Sequence, residues 1–294
     1  MGDKKSSVGV SYFKYILALL LFGSNGIVAS FISLSSYEIV LLRTFIGSLL
    51  LIAIFLLTGE KFTFYKHKKQ SVFLMISGIA MGASWIFLYE AYAQIGVSVA
   101  SLAYYCGPVI VMVLSPILFG ERLTPPKLMG FAAVLGEIFL VNGNAEGEIS
   151  KWGIFCGLMS AVMYAFMVIF NKKAADIKGL ENSMLQLFVS FLTAAVFIGI
   201  KQGFSVDIPR ESIVPILILG IVNTGIGCYF YFLSIGKLPV QTVAVCGYLE
   251  PLSAVLFASL FLGKRMTALQ AVGAVLIIGG AMVGELVKVR AKQQ

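Results

Sequence analysis

The stretch YCGPVIVMVLSPILFGERLTPPKLMGFAAVLGEIFLV, residues 105–141, recurs in altered form as YLEPLSAVLFASLFLGKRMTALQAVGAVLIIGGAMVG at residues 248–284. At a constant offset of 143 residues seven identities align: Tyr105/Tyr248, Pro108/Pro251, Gly120/Gly263, Arg122/Arg265, Thr124/Thr267, Gly130/Gly273 and Gly136/Gly279. Each copy is an apolar run, a short polar joint and a second apolar run. Two copies of a unit with an odd number of membrane spans face opposite sides of the bilayer. Inverted repeats around discontinuous helices are the architecture of secondary transporters.

The rest of the chain has the matching composition. It is 59% hydrophobic and 12% charged, with a mean hydropathy of +0.94, whereas a soluble domain carries about 25% charged residues. Apolar runs near twenty residues long predict spanning helices, here at 12–33, 37–57, 71–95, 98–119, 126–142, 152–170, 183–200, 212–235, 240–262 and 268–287. The expected fold is therefore an all-α integral membrane protein of ten transmembrane helices. These form two inverted five-helix repeats, 12–142 and 152–287, joined by the polar stretch Asn142–Ser150 (NGNAEGEIS). The first run follows Lys4, Lys5 and Lys14 but is too long for a signal-peptide core, and Gly23-Ser24-Asn25-Gly26 interrupts it.

Of the 22 Lys and Arg residues, sixteen fall on the side of the N-terminus, five on the other, and Arg43 lies within a span. By the positive-inside rule both termini are cytoplasmic, and the protein is expected in the cell membrane as a multi-pass chain. The net charge of +8 needs no nucleic-acid partner, because basic loops facing an anionic leaflet account for it. The same orientation puts Gly120-Glu121-Arg122-Leu123-Thr124 inside and its counterpart Gly263-Lys264-Arg265-Met266-Thr267 outside, as an inverted duplication requires. Cys106, Cys156, Cys228 and Cys246 lie inside spans without metal-ligand spacing and read as buried free thiols. No cofactor or metal is implied.

The run SVASLAYYCGPVIVMVLSPILFGERLTPPKLMGFAAVLGEIFLV, 98–141, resembles the EamA domain of the drug/metabolite transporter superfamily. It shows a small-residue helix, a proline, a Gly-Glu-Arg-hydrophobic-Thr loop and a Gly-containing helix. The second half repeats this with Lys264 in place of the acid, and Leu42-Arg43-Thr44-Phe45 resembles the Arg-Phe element of the family's second helix. The resemblance covers nearly the whole chain. It implies a ten-helix secondary transporter; members export amino acids, drugs or metabolites, and others import small solutes.

Depth selects the candidate site. At 1.5 Å per helical residue, Asn25, Trp85, Pro108, Asn223, Glu250 and Pro251 lie near the midplane, where such folds bind substrate. Glu90, Arg43 and Glu137 lie shallower. An ionised Glu250 would cost at least about 2.5–3.5 kcal/mol, so it calls for a partner, a proton or a cationic substrate. Pro251 removes a backbone N–H and frees a carbonyl beside it. Glu90 and Arg43 share a depth on adjacent helices, which reads either as a structural ion pair or as an outer gate. Gly78, Gly82, Trp85, Tyr89, Tyr92 and Gly96 share one helix face, where aromatic side chains could wall a cation; Tyr104, Tyr105, Tyr229 and Tyr248 could complete it. Interhelical packing explains the same residues without a ligand. Asn25 and Asn223 mark polar interruptions of two spans, tolerable only where they face protein or a cavity. His67 reads as a solvated loop residue.

The expected site therefore binds substrate through Asn25, Trp85, Tyr105, Asn223, Tyr248 and Glu250, with Glu250, Glu90 and Arg43 as proton-coupling or gating groups. The lack of nucleotide motifs and of a His/Asp cluster argues against an enzyme, and against an ATP-driven pump unless a separate subunit supplies the nucleotide site. The expected function is secondary active transport of small metabolites such as amino acids or amines, by proton-coupled export. An uptake permease for a cationic solute such as a quaternary amine remains open, as does a channel, which would need a ring of pore-lining groups. Expected partners are a small-molecule substrate, the lipid bilayer and protons; a monomer and a homodimer are both compatible with the sequence.

Overall fold

A computed structural model describes residues 2–120, 150–203 and 206–262. These residues are mostly helical, with no strand among them. The expected fifth and tenth spans, Glu137, both Gly-x-Arg loops beyond Gly120 and most of the polar stretch 142–150 lie outside the described residues. Numbering only the described helices, α1 is Gly2–Gly23, α2 Asn25–Ala29, α3 Ser36–Thr58, α4 Lys68–Tyr104 and α5 Gly107–Phe119. They are followed by α6 Lys151–Lys173, α7 Gly179–Lys201, α8 Arg210–Ile218, a π-helical turn Leu219–Ile226, α9 Gly227–Ile235, α10 Val240–Gly247 and α11 Leu249–Leu262.

Among the described residues six stretches are long and apolar enough to cross a membrane: Gly9–Ala29, Ser36–Thr58, Lys68–Ile95, Lys151–Lys173, Gly179–Lys201 and Arg210–Ile235; Gly107–Phe119 is a shorter apolar helix. Local sequence sets several ends. Ser35 and Glu38 form a capping box at the start of α3, and Gly59 closes that helix with φ of 67°. Ser150 accepts from Gly153 N and caps α6.

The joint expected near residues 96–97 is not a break in helical assignment, because α4 runs on through Tyr104. It is nonetheless a reversal. A Cβ added at Gly157 would lie within 4 Å of the Cβ atoms of both Ala91 and Ala103, residues that a straight helix would separate by roughly 18 Å. The actual break falls at Tyr105-Cys106, ahead of Gly107-Pro108. The expected span 240–262 is also divided, at Tyr248, ahead of Leu249-Glu250-Pro251. In each case a proline early in the following helix cannot donate to the preceding turn, so the chain departs from the i→i−4 ladder there. The two breaks occupy equivalent positions of the repeat, and they touch: Tyr248 Oη donates to Tyr105 O at 3.2 Å.

Packing follows the small residues. The α4–α6 seam is clasped by reciprocal serine bonds, Ser84 Oγ to Ser160 O at 2.9 Å and Ser160 Oγ to Ser84 O at 2.8 Å. Gly78 and Gly82, small residues of the kind that admit a neighbouring helix, let α7 approach through Val189 and Thr193.

Candidate functional site

Three interrupted spans surround one cavity. The first is α1–α2, which breaks at Ser24. Gly23 sits so close to α11 that a Cβ there would meet Ser253 Oγ at 1.9 Å and Glu250 O at 2.8 Å. The second is the span Arg210–Ile235, whose centre winds into the π turn Leu219–Ile226; such turns recur at functional sites. The third is α10–α11, broken at Tyr248 two residues before Glu250. The cavity lies between them and α3, α4 and α6.

Its polar lining is Asn25, Arg43, Ser84 and Glu250, and Phe22, Trp85, Tyr104, Tyr164 and Tyr231 supply aromatic walls. Arg43 is 3% exposed. Its Nε donates to Thr224 Oγ1 at 2.9 Å, and its guanidinium carbon lies 4.8 Å from the Trp85 ring centroid, a cation–π distance. Thr224 in turn donates to Leu219 O at 2.8 Å, across the π turn. The π turn thus holds the arginine. Both Nη groups of Arg43 make no hydrogen bond among the described residues, nor does the Glu250 carboxylate, and no ion pair joins the two side chains. Asn25 Oδ1 is buried without a hydrogen-bond partner. A cation, an acid and an amide oxygen therefore converge on one space with their polar ends uncommitted, where buried polar groups are normally paired.

The other expected site residues are placed elsewhere. Asn223 is 2% exposed and does not line the cavity: its Nδ2 donates to Leu21 O at 2.7 Å and Ser24 Oγ at 2.8 Å, tying the π turn to the break in the first span. Tyr105 and Tyr248 meet each other, and Tyr104 faces the cavity in Tyr105's stead. Of the aromatic face on α4, Trp85 alone lines the cavity, while Tyr89 and Tyr92 pack edge to face at 5.4 Å.

The expected Glu90–Arg43 pair is not formed. Glu90 Oε2 accepts from Lys201 Nζ at 3.0 Å and from Tyr37 Oη, and Oε1 accepts from Trp152 Nε1 at 3.3 Å and Gln94 Nε2 at 3.2 Å. Depth along a helix fixes height and not azimuth, and Arg43 turns inward while Glu90 turns to the end of α7. Lys201, Tyr37 and Trp152 were not singled out from sequence; Lys201 carried the only signal, as a cation at a span end. Tyr164 and Tyr231, whose hydroxyls lie 3.3 Å apart, were missed because midspan tyrosines are common in packing.

The EamA-like transporter family model matches residues 9–143 and again 151–283. The chain belongs to that family. It is accordingly a multi-pass membrane transporter and not an enzyme. It is 24% identical over 288 residues to the uncharacterized transporter YxxF of Bacillus subtilis (strain 168), covering 95% of this chain and 90% of the relative. It is 25% identical to the threonine/homoserine exporter RhtA of Salmonella typhimurium (strain SL1344), over 86% of this chain and 82% of the relative. It is 28% identical to a probable amino-acid metabolite efflux pump of Escherichia coli (strain K12), over 62% of this chain and 64% of the relative. A crystal structure 20% identical in sequence superposes with a TM-score of 0.80, covering 94% of this chain and 98% of the other, a likeness of fold.

Proposed function

We propose that this transporter exports small zwitterionic metabolites of the amino-acid kind, by proton-coupled alternating access. In this reading ten helices form two inverted five-helix repeats, 12–142 and 152–287, in the cell membrane with both termini cytoplasmic. The observation that carries the substrate class is the uncommitted pair of opposite charges in the central cavity, Arg43 and Glu250, with Asn25 Oδ1 beside them. A substrate carboxylate fits the Nη edge of Arg43, a geometry suited to bidentate binding. A substrate ammonium fits Glu250 and the Asn25 oxygen. Trp85 and the tyrosines receive the side chain. The sequence holds three intramembrane acids, Glu90, Glu137 and Glu250, against one arginine, a balance that favours a cation or proton over an anion. With Glu90 held by Lys201 and Glu137 outside the described residues, the cavity lining balances at one acid and one base. The names of two relatives, an exporter of threonine and homoserine and an amino-acid metabolite efflux pump, support this class and direction.

When the substrate leaves, Glu250 loses its ammonium partner, forms no ion pair with Arg43 in its place, and takes a proton in the low-dielectric cavity. Proton and substrate then alternate on one carboxylate, which couples the two fluxes without a nucleotide site.

The test is transport in proteoliposomes under a pH gradient, with threonine, its decarboxylated amine and a quaternary amine as probes. Wild type is expected to move threonine alone, and Arg43→Gln to lose it. Equal transport of the two amines by wild type and Arg43→Gln would overturn the zwitterion reading in favour of a cation permease.

A further inference from the structure

Glu181 is a buried acid, 4% exposed, that the transport cycle above does not use. It is the third residue of α7, in the second half of the chain, and its partners lie in the first half. Oε1 accepts from Thr63 N at 2.6 Å and from Phe64 N at 2.9 Å, and Oε2 accepts from Thr63 Oγ1 at 2.5 Å. Bonds to an ionised group are about twice as strong as neutral ones. The gripped residues belong to the joint between α3 and α4, on the face that the charge count places in the cytoplasm.

The first turns of α7 also hold α6. Asn171 Nδ2 donates to Asn182 Oδ1 at 3.0 Å and to Gln186 Oε1 at 3.2 Å, all three residues being buried. Beside them Asp176, in the joint between α6 and α7, accepts from Gln70 Nε2 at the start of α4, at 2.6 Å. The central cavity takes Met81, Ser84 and Trp85 from α4, and Tyr164 and Met167 from α6. The start of α7 therefore fastens these two walls to each other at one end.

On the opposite face the counterpart acid has no such grip. At the repeat offset of 143 residues, α3 (Ser36–Thr58) coincides with α7 (Gly179–Lys201), and Glu38 with Glu181. The residues equivalent to Thr63 and Phe64 are Val206 and Asp207. Glu38 nevertheless closes on its own helix, accepting from Ser35 N at 2.8 Å in the capping box. Lys178, in the place of Ser35, has no acceptor with which to cap α7. There the halves meet through Ser33 N and Ser212 Oγ at 3.0 Å and through the partly exposed cluster of Lys201 and Glu90.

We infer that Glu181 is the gate of the cytoplasmic face: its hold on the α3–α4 joint keeps that side of the central cavity shut, and its release opens the cavity there. The inference rests on the alternating-access reading above and not on the substrate. Glu181 acts by positioning α4 and α6, without touching the transported molecule.

Cys228 lines the cavity and is 1% exposed, which makes it a native reporter. In the full chain with Cys106, Cys156 and Cys246 replaced by alanine, its rate of reaction with a membrane-impermeant thiol reagent is measured in inverted and in right-side-out vesicles. Glu181→Ala is expected to raise the rate from the cytoplasmic face about tenfold, the worth of one bond to a charged group, with no rise from the outer face. Thr63→Ala, which removes the hydroxyl bond alone, is expected to give a smaller rise in the same sense. Glu181→Gln, which keeps one acceptor oxygen, should stay nearer to wild type. If Glu181→Ala fails to fold, Thr63→Ala decides by the same criterion. A variant that melts lower but reacts like wild type from both faces has lost a structural bond only, and overturns the gate. Wild type reacting equally fast from both faces is a different result, and overturns alternating access itself.

Discussion

Gly23→Ala tests whether the first span positions the acid of the central cavity. A Cβ at residue 23 would lie 1.9 Å from Ser253 Oγ, 2.9 Å from Ser253 Cβ and 2.8 Å from Glu250 O. The serine hydroxyl can rotate away, at the loss of its 2.8 Å bond to Glu250 O. The carbonyl cannot: ordinary contact begins at 3.4 Å, so α1 and α11 must part by about 0.6 Å at that point. Overpacking of this kind costs about 1–3 kcal/mol, and here the displaced segment carries Glu250 itself. The expected outcome is a lower melting midpoint in detergent together with weakened substrate binding, measured by titration into the purified transporter. Adding Ser253→Gly removes the two serine contacts and leaves the carbonyl contact, so rescue should be partial and the two substitutions non-additive. Wild-type melting and wild-type affinity in Gly23→Ala would refute the reasoning, because they would mean that the helices do not meet at this glycine.

Asn223→Ala removes the two bonds that hold the break of the first span, and at about 0.6 kcal/mol per intramembrane hydrogen bond it should destabilise by about 1 kcal/mol in denaturant titration. Lys201→Met leaves Glu90 its tyrosine and tryptophan donors; since the pair is partly exposed, stability should fall by less than about 1 kcal/mol and transport should persist, so a drop to background would assign the pair to the gate. In Glu250→Gln the dependence of transport on a pH gradient should vanish, measured as uptake into proteoliposomes at matched and unmatched pH, whereas a gradient-driven flux equal to wild type would place the coupling proton on another group.

Much of the frame was legible because duplication and hydropathy are written linearly. The tyrosine–proline pairs at 105–108 and 248–251 were legible as identities of the repeat, but they sit inside continuous apolar spans, and the two helix breaks that fall there were not expected. Glu250 and Asn25 could be picked out by depth, since a polar group at midspan must face protein or a cavity. What depth cannot supply is rotation about the helix axis. Adjacent residues differ by about 100°, enough to put Tyr104 on the cavity and Tyr105 against Tyr248. The same ambiguity paired Glu90 with Arg43 in sequence space, while the cation that meets Glu90 comes from the far end of another span. Asn223 was recognised as special, but its partners, a backbone carbonyl and Ser24, are set by which helix lies opposite, and no local pattern encodes that.

The contact between Tyr248 and Tyr105 has a direction. One of two equivalent residues gives the proton and the other supplies the carbonyl, so the pair is lopsided although the duplicated text is even-handed. Under the proposed alternating access, the halves trade conformations when the cavity turns to the opposite side, and the donor and acceptor trade with them: Tyr105 Oη would then reach Tyr248 O. Each hydroxyl would thereby latch one facing state and stand idle in the other. Tyr248→Phe and Tyr105→Phe, the same chemical change at the same place in the two copies, should bias the transporter in opposite senses, seen as opposite changes in thiol-labelling accessibility from the two sides of the membrane.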